Sequence, residues 1–178
     1  MNEELILVDL NDIVIGKGEK IWVHLNGKLH RAFSVFIVSG DKMLLQKRSK
    51  DKYHSGGMWA NACCSHPRYG ENLEEAVNRR LMEELGIKTV AREAFYFIYR
   101  TSYENGLTEF EYDHVFIGNY FGDIKPSSQE IDDVKWINIK ELKKDVADNP
   151  QKYASWFIIA FPKVLDFLQA RTVNSNEE

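Results

Sequence analysis

The chain has 178 residues, 44% of them hydrophobic, 12% aromatic and only four prolines, enough to bury one substantial core. A net charge of −4 and a pI near 5.8 exclude a protein that grips a phosphate backbone by overall basicity, so any anionic ligand must meet a local basic set. The acidic start MNEELILVDLND is unlike a secretory signal and no stretch is long and apolar enough to span a bilayer. The expectation is one cytoplasmic, thiol-reduced domain over residues 1–178, with no nucleic-acid or membrane partner and no more than weak homodimerisation.

In chain order, ELILV and IVIG read as short strands joined by a corner at DLND. KGEKIWVHLNGKLHRAF follows with a turn signal at Asn26-Gly27, which folds the chain back and brings His24 and His30 together. RAFSVFIVSGDKMLLQKRS reads as a hairpin about residues 39–42, and KDKYHSGGMW as a glycine-containing loop. Over residues 71–85 the period becomes helical, with Leu73, Val77, Leu81 and Leu85 at steps of four and Gly86 placed to end the helix. KTVAREAFYFIYRT, GLTEFEYDHVFIGNYF and DDVKWINI read as strands. IKELKKDVAD and residues 153–168 read as helices, the second interrupted or kinked at Pro162, and residues 171–178 as a frayed tail. The fold class predicted is α/β (α+β): a central mixed sheet flanked by helices, with N-terminal strand additions.

The only two cysteines stand side by side in WANACCSHP, residues 59–67. With no residue between them they cannot easily bridge each other, and they lack the two-residue spacing of a redox or zinc pair. Packing, a lone metal thiolate or acid/base chemistry remain open. On the predicted helix Ala76, Arg80 and Glu84 share a face, with Arg79 one four-residue step before Glu83. This is either a solvated face of arginine-glutamate pairs or a hard-metal carboxylate beside a phosphate-binding arginine. In TEFEYDHVF, alternation sends Glu109, Glu111 and Asp113 to one face, which suits either a shared metal or the polar side of an edge strand. Any single histidine is more often a satisfied residue than a ligand, but three imidazoles joined by carboxylates would suit zinc, manganese or iron. His54 and His114 are expected at or near the surface.

Glu71, Arg79, Leu81, Glu83, Glu84, Gly86 and Ile87 together resemble the signature helix of the Nudix superfamily. The copy is altered: Ser65 stands where hydrolases of that superfamily open with glycine, and Arg80 where they carry a glutamate. Over EKIWVHLNGKLHRAFS, QKRSKDKYHSGGMWANACCSHPRYGE, RRLMEELG, YRTSYENGLTEFE and SWF the chain resembles the type 1 isopentenyl diphosphate isomerases, a Nudix-fold family. The segment W-x-N-x-x-C-x-H-P is the most diagnostic.

Carried over position by position, the resemblance implies that Cys64 is the catalytic thiol and that Glu111 faces it across the substrate, with Tyr99 beside Glu111 and Trp156 over a developing cation. It implies a first metal site of His24, His30, His66, Glu109 and Glu111 for manganese, zinc or magnesium. Glu84 would hold magnesium with the substrate diphosphate, and Lys20, Arg48, Lys52 and Arg80 would meet that diphosphate. Cys63 is left to packing. The implied substrate is a small isoprenoid diphosphate, isopentenyl or dimethylallyl diphosphate. The rival is a Nudix hydrolase of a nucleoside diphosphate derivative, which would need Glu83 and Glu84 and could spare Cys64; a third reading is a silent metal- or diphosphate-binding module.

Overall fold

The computed structural model describes residues 3–52 and 54–174. Strands β1 (Glu4–Val8) and β2 (Val14–Glu19) form the expected antiparallel hairpin. The next segment departs from expectation: Lys20–Leu25 is a short helix, α1, rather than the arm of a hairpin. The Glu19 carboxylate caps it by accepting from Trp22 N–H, and Gly27, at φ 54°, turns the chain left-handed behind it. The Asn26-Gly27 signal thus ends a helix instead of joining two strands. His24 and His30 still meet, with ring centroids 4.9 Å apart.

Among the described residues, strand β3 (His30–Ser39) is the spine of a nine-stranded mixed sheet. One edge pairs in parallel with β8 (Thr108–Asn119) from His30↔Glu111 to Val38↔Asn119, and β7 (Ala91–Ser102) lies antiparallel beyond β8. The other edge is shared: β1 touches it at His30, β6 (Cys63–Ser65) takes Phe33 to Val35, and β4 (Lys42–Arg48) meets it only at Val38 and Ser39. Beyond the hairpin turn β4 parts from β3 and runs between β5 (Trp59–Asn61) and β9 (Ile131–Asn138). WANACCS therefore crosses a split in the sheet, its first three residues paired to β4 and its last three to β3. Strand β8 is interior, which corrects the edge-strand alternative for TEFEYDHVF.

Helix α2 (Leu73–Leu85) covers one face of the sheet, with Val77, Leu81 and Leu85 buried among Phe33, Val35, Ile37 and Phe116. Each such side chain contributes about 1.5–3 kcal/mol by leaving water. Asn72 caps the helix by accepting from Glu74 N–H at 2.8 Å, and Gly86, at φ 66°, ends it in the left-handed conformation. The other face is covered by α3 (Ile139–Asp148) and α4 (Ser155–Asn174), which bury Phe36, Val115 and Ile117 against Leu142, Phe157 and Phe161. Helix α4 runs through Pro162 without interruption and on through residues 171–174, so the expected tail is helical there; residues 175–178 lie outside the described residues. Among the described residues no helix is long and apolar enough to cross a membrane.

Candidate active site

Because side chains alternate along a strand, β6 sends its two cysteines to opposite faces. Cys63 is fully buried in the layer with Phe33, Leu81 and Leu85. Cys64 turns the other way, into a cleft that it shares with Glu111, Tyr99, Trp156 and His66. Lys20, Arg48, Lys52, Arg80 and Glu84 line the same cleft, so thiol, carboxylate and cations belong to one site.

Asn61 pins the split beneath them. Fully buried, it donates through Nδ2 to the carbonyls of Val35 at 3.1 Å and Cys63 at 2.7 Å, and its Oδ1 accepts from Trp156 Nε1 at 3.1 Å. One side chain therefore ties β3, the cysteine strand and the start of α4, and fixes the Trp156 ring. The Arg48 guanidinium lies 5.0 Å from the centroid of that ring and directs Nη1 at the Cys64 sulfur, 3.7 Å away. Burial pushes the Cys64 thiol up to about 12, and Arg48 offsets it only in part, so the sulfur keeps its proton at neutral pH.

His24, His30, His66 and Glu111, all buried, offer ligand atoms that lie within 4.8 Å of one another. His24 Nδ1 meets Lys20 O at 2.7 Å and His30 Nδ1 meets Lys28 O at 2.9 Å. A carbonyl can only accept, so each Nδ1 carries the hydrogen and each Nε2 presents its lone pair to the cluster, the orientation metal-ligating imidazoles require. His66 Nε2 lies 2.9 Å from Glu111 Oε1 and 3.2 Å from His30 Nε2. Burial holds His66 down to about 3, which keeps the imidazole neutral as a ligand must be. Burial also works against an ionised Glu111, but the adjoining imidazoles of His66 and His30 outweigh it and keep that carboxyl well below its ordinary range. Imidazoles around a buried carboxylate are a donor set that fits a divalent ion.

Glu109, the fifth ligand implied by the resemblance, lies beside this set on the same face of β8. Its oxygens are engaged by Tyr99 Oη at 3.1 Å, Tyr103 Oη at 2.5 Å and His54 Nε2 at 3.0 Å. Tyr99 also donates to Glu111 Oε2 at 2.8 Å, bridging the two carboxylates. His54 and His114 correct the sequence expectation of a surface position, since both are 7% exposed. His54 enters the cleft, whereas His114 lies away from it between Glu93 and Asp12, at 2.6 and 3.1 Å. Asp113 lies beneath the site, where burial and the neighbouring Glu111 raise its carboxyl while Ser34 Oγ donates to it at 2.8 Å.

At the cationic end Glu84 is 3% exposed, bonded by Arg80 Nη2 at 2.5 Å and by Gln46 Nε2 at 3.2 Å. Burial raises its carboxyl against the pull of Arg80, so a second cation there would be favoured. Arg80 Nε is buried without a hydrogen-bond partner, a donor suited to an oxyanion. Glu130, which the sequence did not single out, pairs with Lys52 and lies 3.6 Å from Arg80; Lys20 pairs with Glu3 at 2.9 Å. Arg79 binds Glu71 and Glu83 outside the cleft, so Glu83 serves the helix surface. No local pattern could have linked Lys52 to Glu130, 78 residues on.

The family model described as the NUDIX domain matches residues 28–157. An isopentenyl-diphosphate Delta-isomerase from Aromatoleum aromaticum is 43% identical over 93% of this chain and 88% of its own. Similar enzymes from Photorhabdus laumondii and Aliivibrio fischeri are 45% and 41% identical, over 88% and 95% of this chain and 89% and 98% of theirs. Among solved structures, a protein from Deinococcus radiodurans superposes with a TM-score of 0.75 at 18% identity, over 90% of this chain and 98% of its own. A MutT Nudix hydrolase from Burkholderia pseudomallei gives 0.62 at 22% identity, over 76% and 98%. At these identities the solved structures speak for the fold alone.

Proposed function

Because the chain belongs to the isopentenyl-diphosphate Delta-isomerases of the Nudix fold and interconverts isopentenyl and dimethylallyl diphosphate, we propose that Cys64 and Glu111 carry its two proton transfers. The observation that supports this most is their common cleft, reached from strands on opposite edges of β3. Moving the double bond by one carbon requires a proton delivered at C4 and another removed at C2. A protonated thiol and an ionised carboxyl together hold one proton, the number a one-in, one-out exchange needs.

Protonating an unactivated alkene produces a tertiary carbocation that water would capture, so the site must be dry and must favour positive charge without offering a nucleophile. Trp156, pinned by Asn61, presents a ring that already attracts the Arg48 cation and supplies on the order of 2 kcal/mol to a desolvated charge. Tyr99 holds Glu111 in place and keeps a hydroxyl proton between the two glutamates. Lys20, Arg48, Lys52 and Arg80 bind the diphosphate and fix the hydrocarbon between sulfur and carboxylate. Glu84 would hold magnesium with the diphosphate, and His24, His30, His66, Glu109 and Glu111 a second divalent ion, zinc, manganese or magnesium. Bound there, such ions supply positive charge that neutralises phosphate and lowers the proton affinity of the carboxylate.

The direct test is incubation of the purified protein with isopentenyl diphosphate and magnesium in deuterated water. Deuterium should enter the methyl and vinyl positions; phosphate release without deuterium would favour the hydrolase instead. Glu84→Gln should raise the substrate KM by about 10²-fold, as expected for losing a charge-assisted clamp of about 2–3 kcal/mol. It should also flatten the dependence on magnesium; an unchanged magnesium titration would remove Glu84 from the site.

A further inference from the structure

Three of the cations that line the cleft already face carboxylates. Lys20 pairs with Glu3 at 2.9 Å, Arg80 Nη2 with Glu84 Oε1 at 2.5 Å, and Lys52 with Glu130. Glu84 and Glu130 line the cleft themselves, and they meet at one nitrogen, for Arg80 Nη2 also lies 3.6 Å from Glu130 Oε2. That same oxygen accepts from Lys52 Nζ. One anionic oxygen facing a lysine and an arginine is the contact a phosphoryl oxygen makes. Burial works against an ionised Glu130, but Lys52 and then Arg80 outweigh it and hold its carboxyl below the ordinary range. The backbone of Glu130 is fixed on both sides: its N–H donates to Ser127 O at 3.0 Å and its carbonyl accepts from Ser49 N–H at 3.0 Å, immediately before β9. The side chain, 28% exposed, can turn out to water by rotation about its own bonds while the loop stays in place.

We infer that Glu130 competes with the substrate's diphosphate for Lys52 and Arg80, and that this competition restricts the anchor to diphosphate carrying a divalent cation. The inference rests on these cations binding diphosphate, as proposed above. A bare diphosphate must expel the Glu130 carboxylate and then face it, together with Glu84, at short range, where like charges in a half-buried site repel. Diphosphate bound to magnesium brings positive charge that offsets both carboxylates, so the exchange becomes favourable. Glu130 is on this reading a specificity-determining residue, choosing the metal-bound form of the substrate over the free one.

The test is calorimetric binding of inorganic diphosphate to the dialysed protein, with and without added magnesium, in the parent, Glu130→Gln and Glu130→Asp. The amide keeps the volume of the side chain and still accepts from Lys52, so it removes the charge alone. Without magnesium, Glu130→Gln should bind diphosphate roughly tenfold more tightly than the parent, the effect of deleting one like charge at a partly exposed site. With magnesium its affinity should stay within about threefold, because the ion already offsets that charge. The advantage conferred by magnesium therefore shrinks through a gain in the metal-free arm, whereas Glu84→Gln shrinks it through a loss in the other. Glu130→Asp retains the charge and should keep the parental advantage. Equal losses in both arms of Glu130→Gln would make Glu130 a scaffold for the two cations and overturn the inference. A loss confined to the magnesium arm would make it a ligand of the ion, and unchanged affinities would leave it no role; either overturns the inference as well. A parent that binds diphosphate in neither arm overturns the anchor and the inference with it, and the parent's titration alone tells that failure from the others. If Glu130→Gln does not melt cooperatively, Glu130→Ala faces the same criteria.

Discussion

Cys64→Ala is expected to lower kcat by roughly 10²–10⁴-fold, the usual worth of a positioned proton carrier, while leaving affinity for the diphosphate nearly intact. The expectation follows from the burial that keeps the thiol protonated and from the absence of another sulfur among the described residues that line the cleft. Cys63→Ala is the internal control: its side chain is packed in the opposite layer, so it should cost about 1 kcal/mol of stability through the small void and leave turnover within a few-fold. Deuterium incorporation measured on both variants separates the roles, and a Cys64→Ala enzyme retaining more than a tenth of parental turnover would remove the thiol from the chemistry. The adjacency of the two cysteines is thus a consequence of strand alternation, one residue serving the core and the next the cleft.

Glu111→Gln should be at least as damaging, with turnover falling by about 10³-fold or more, because the amide can neither hold the exchanged proton nor ligate an ion as a carboxylate does. Two readouts should fall together: turnover, and the divalent metal retained after dialysis, measured by elemental analysis. Glutamine keeps the volume and can still accept from Tyr99, so the melting temperature should move far less than the activity. Full metal content with lost turnover would confine Glu111 to proton transfer, and retained turnover would exclude it altogether.

What the sequence disclosed was governed by contacts of short range. The four-residue stripe from Leu73 to Leu85, the left-handed stop at Gly86 and the turn between β3 and β4 are set by neighbours along the chain, and each appears as read. Segment 20–25 was misread because Asn-Gly serves equally to close a hairpin and to end a helix, and the Glu19 cap decides for the helix. The polar face of β8 resembled a solvent face for a different reason. Glu109, Glu111 and Asp113 are buried carboxyl groups tolerated only because imidazoles, tyrosines and a serine from other strands and loops partner them. Local pattern cannot distinguish water from such partners. His54 and Glu130 escaped notice likewise, since their roles depend on residues 55 and 78 positions away.

The two strands that bear the sulfur and the carboxylate share a single backbone neighbour, with Cys64 opposite Ser34 and Glu111 opposite His30. Their spacing is therefore gauged by peptide ladders, and the surface loops contribute little to it. An insertion or deletion in such a loop should be tolerated, whereas one extra residue within the central strand would reverse the facing of whatever lies beyond it. Such a frameshift in the backbone would sever the alignment of proton donor and acceptor without altering either side chain.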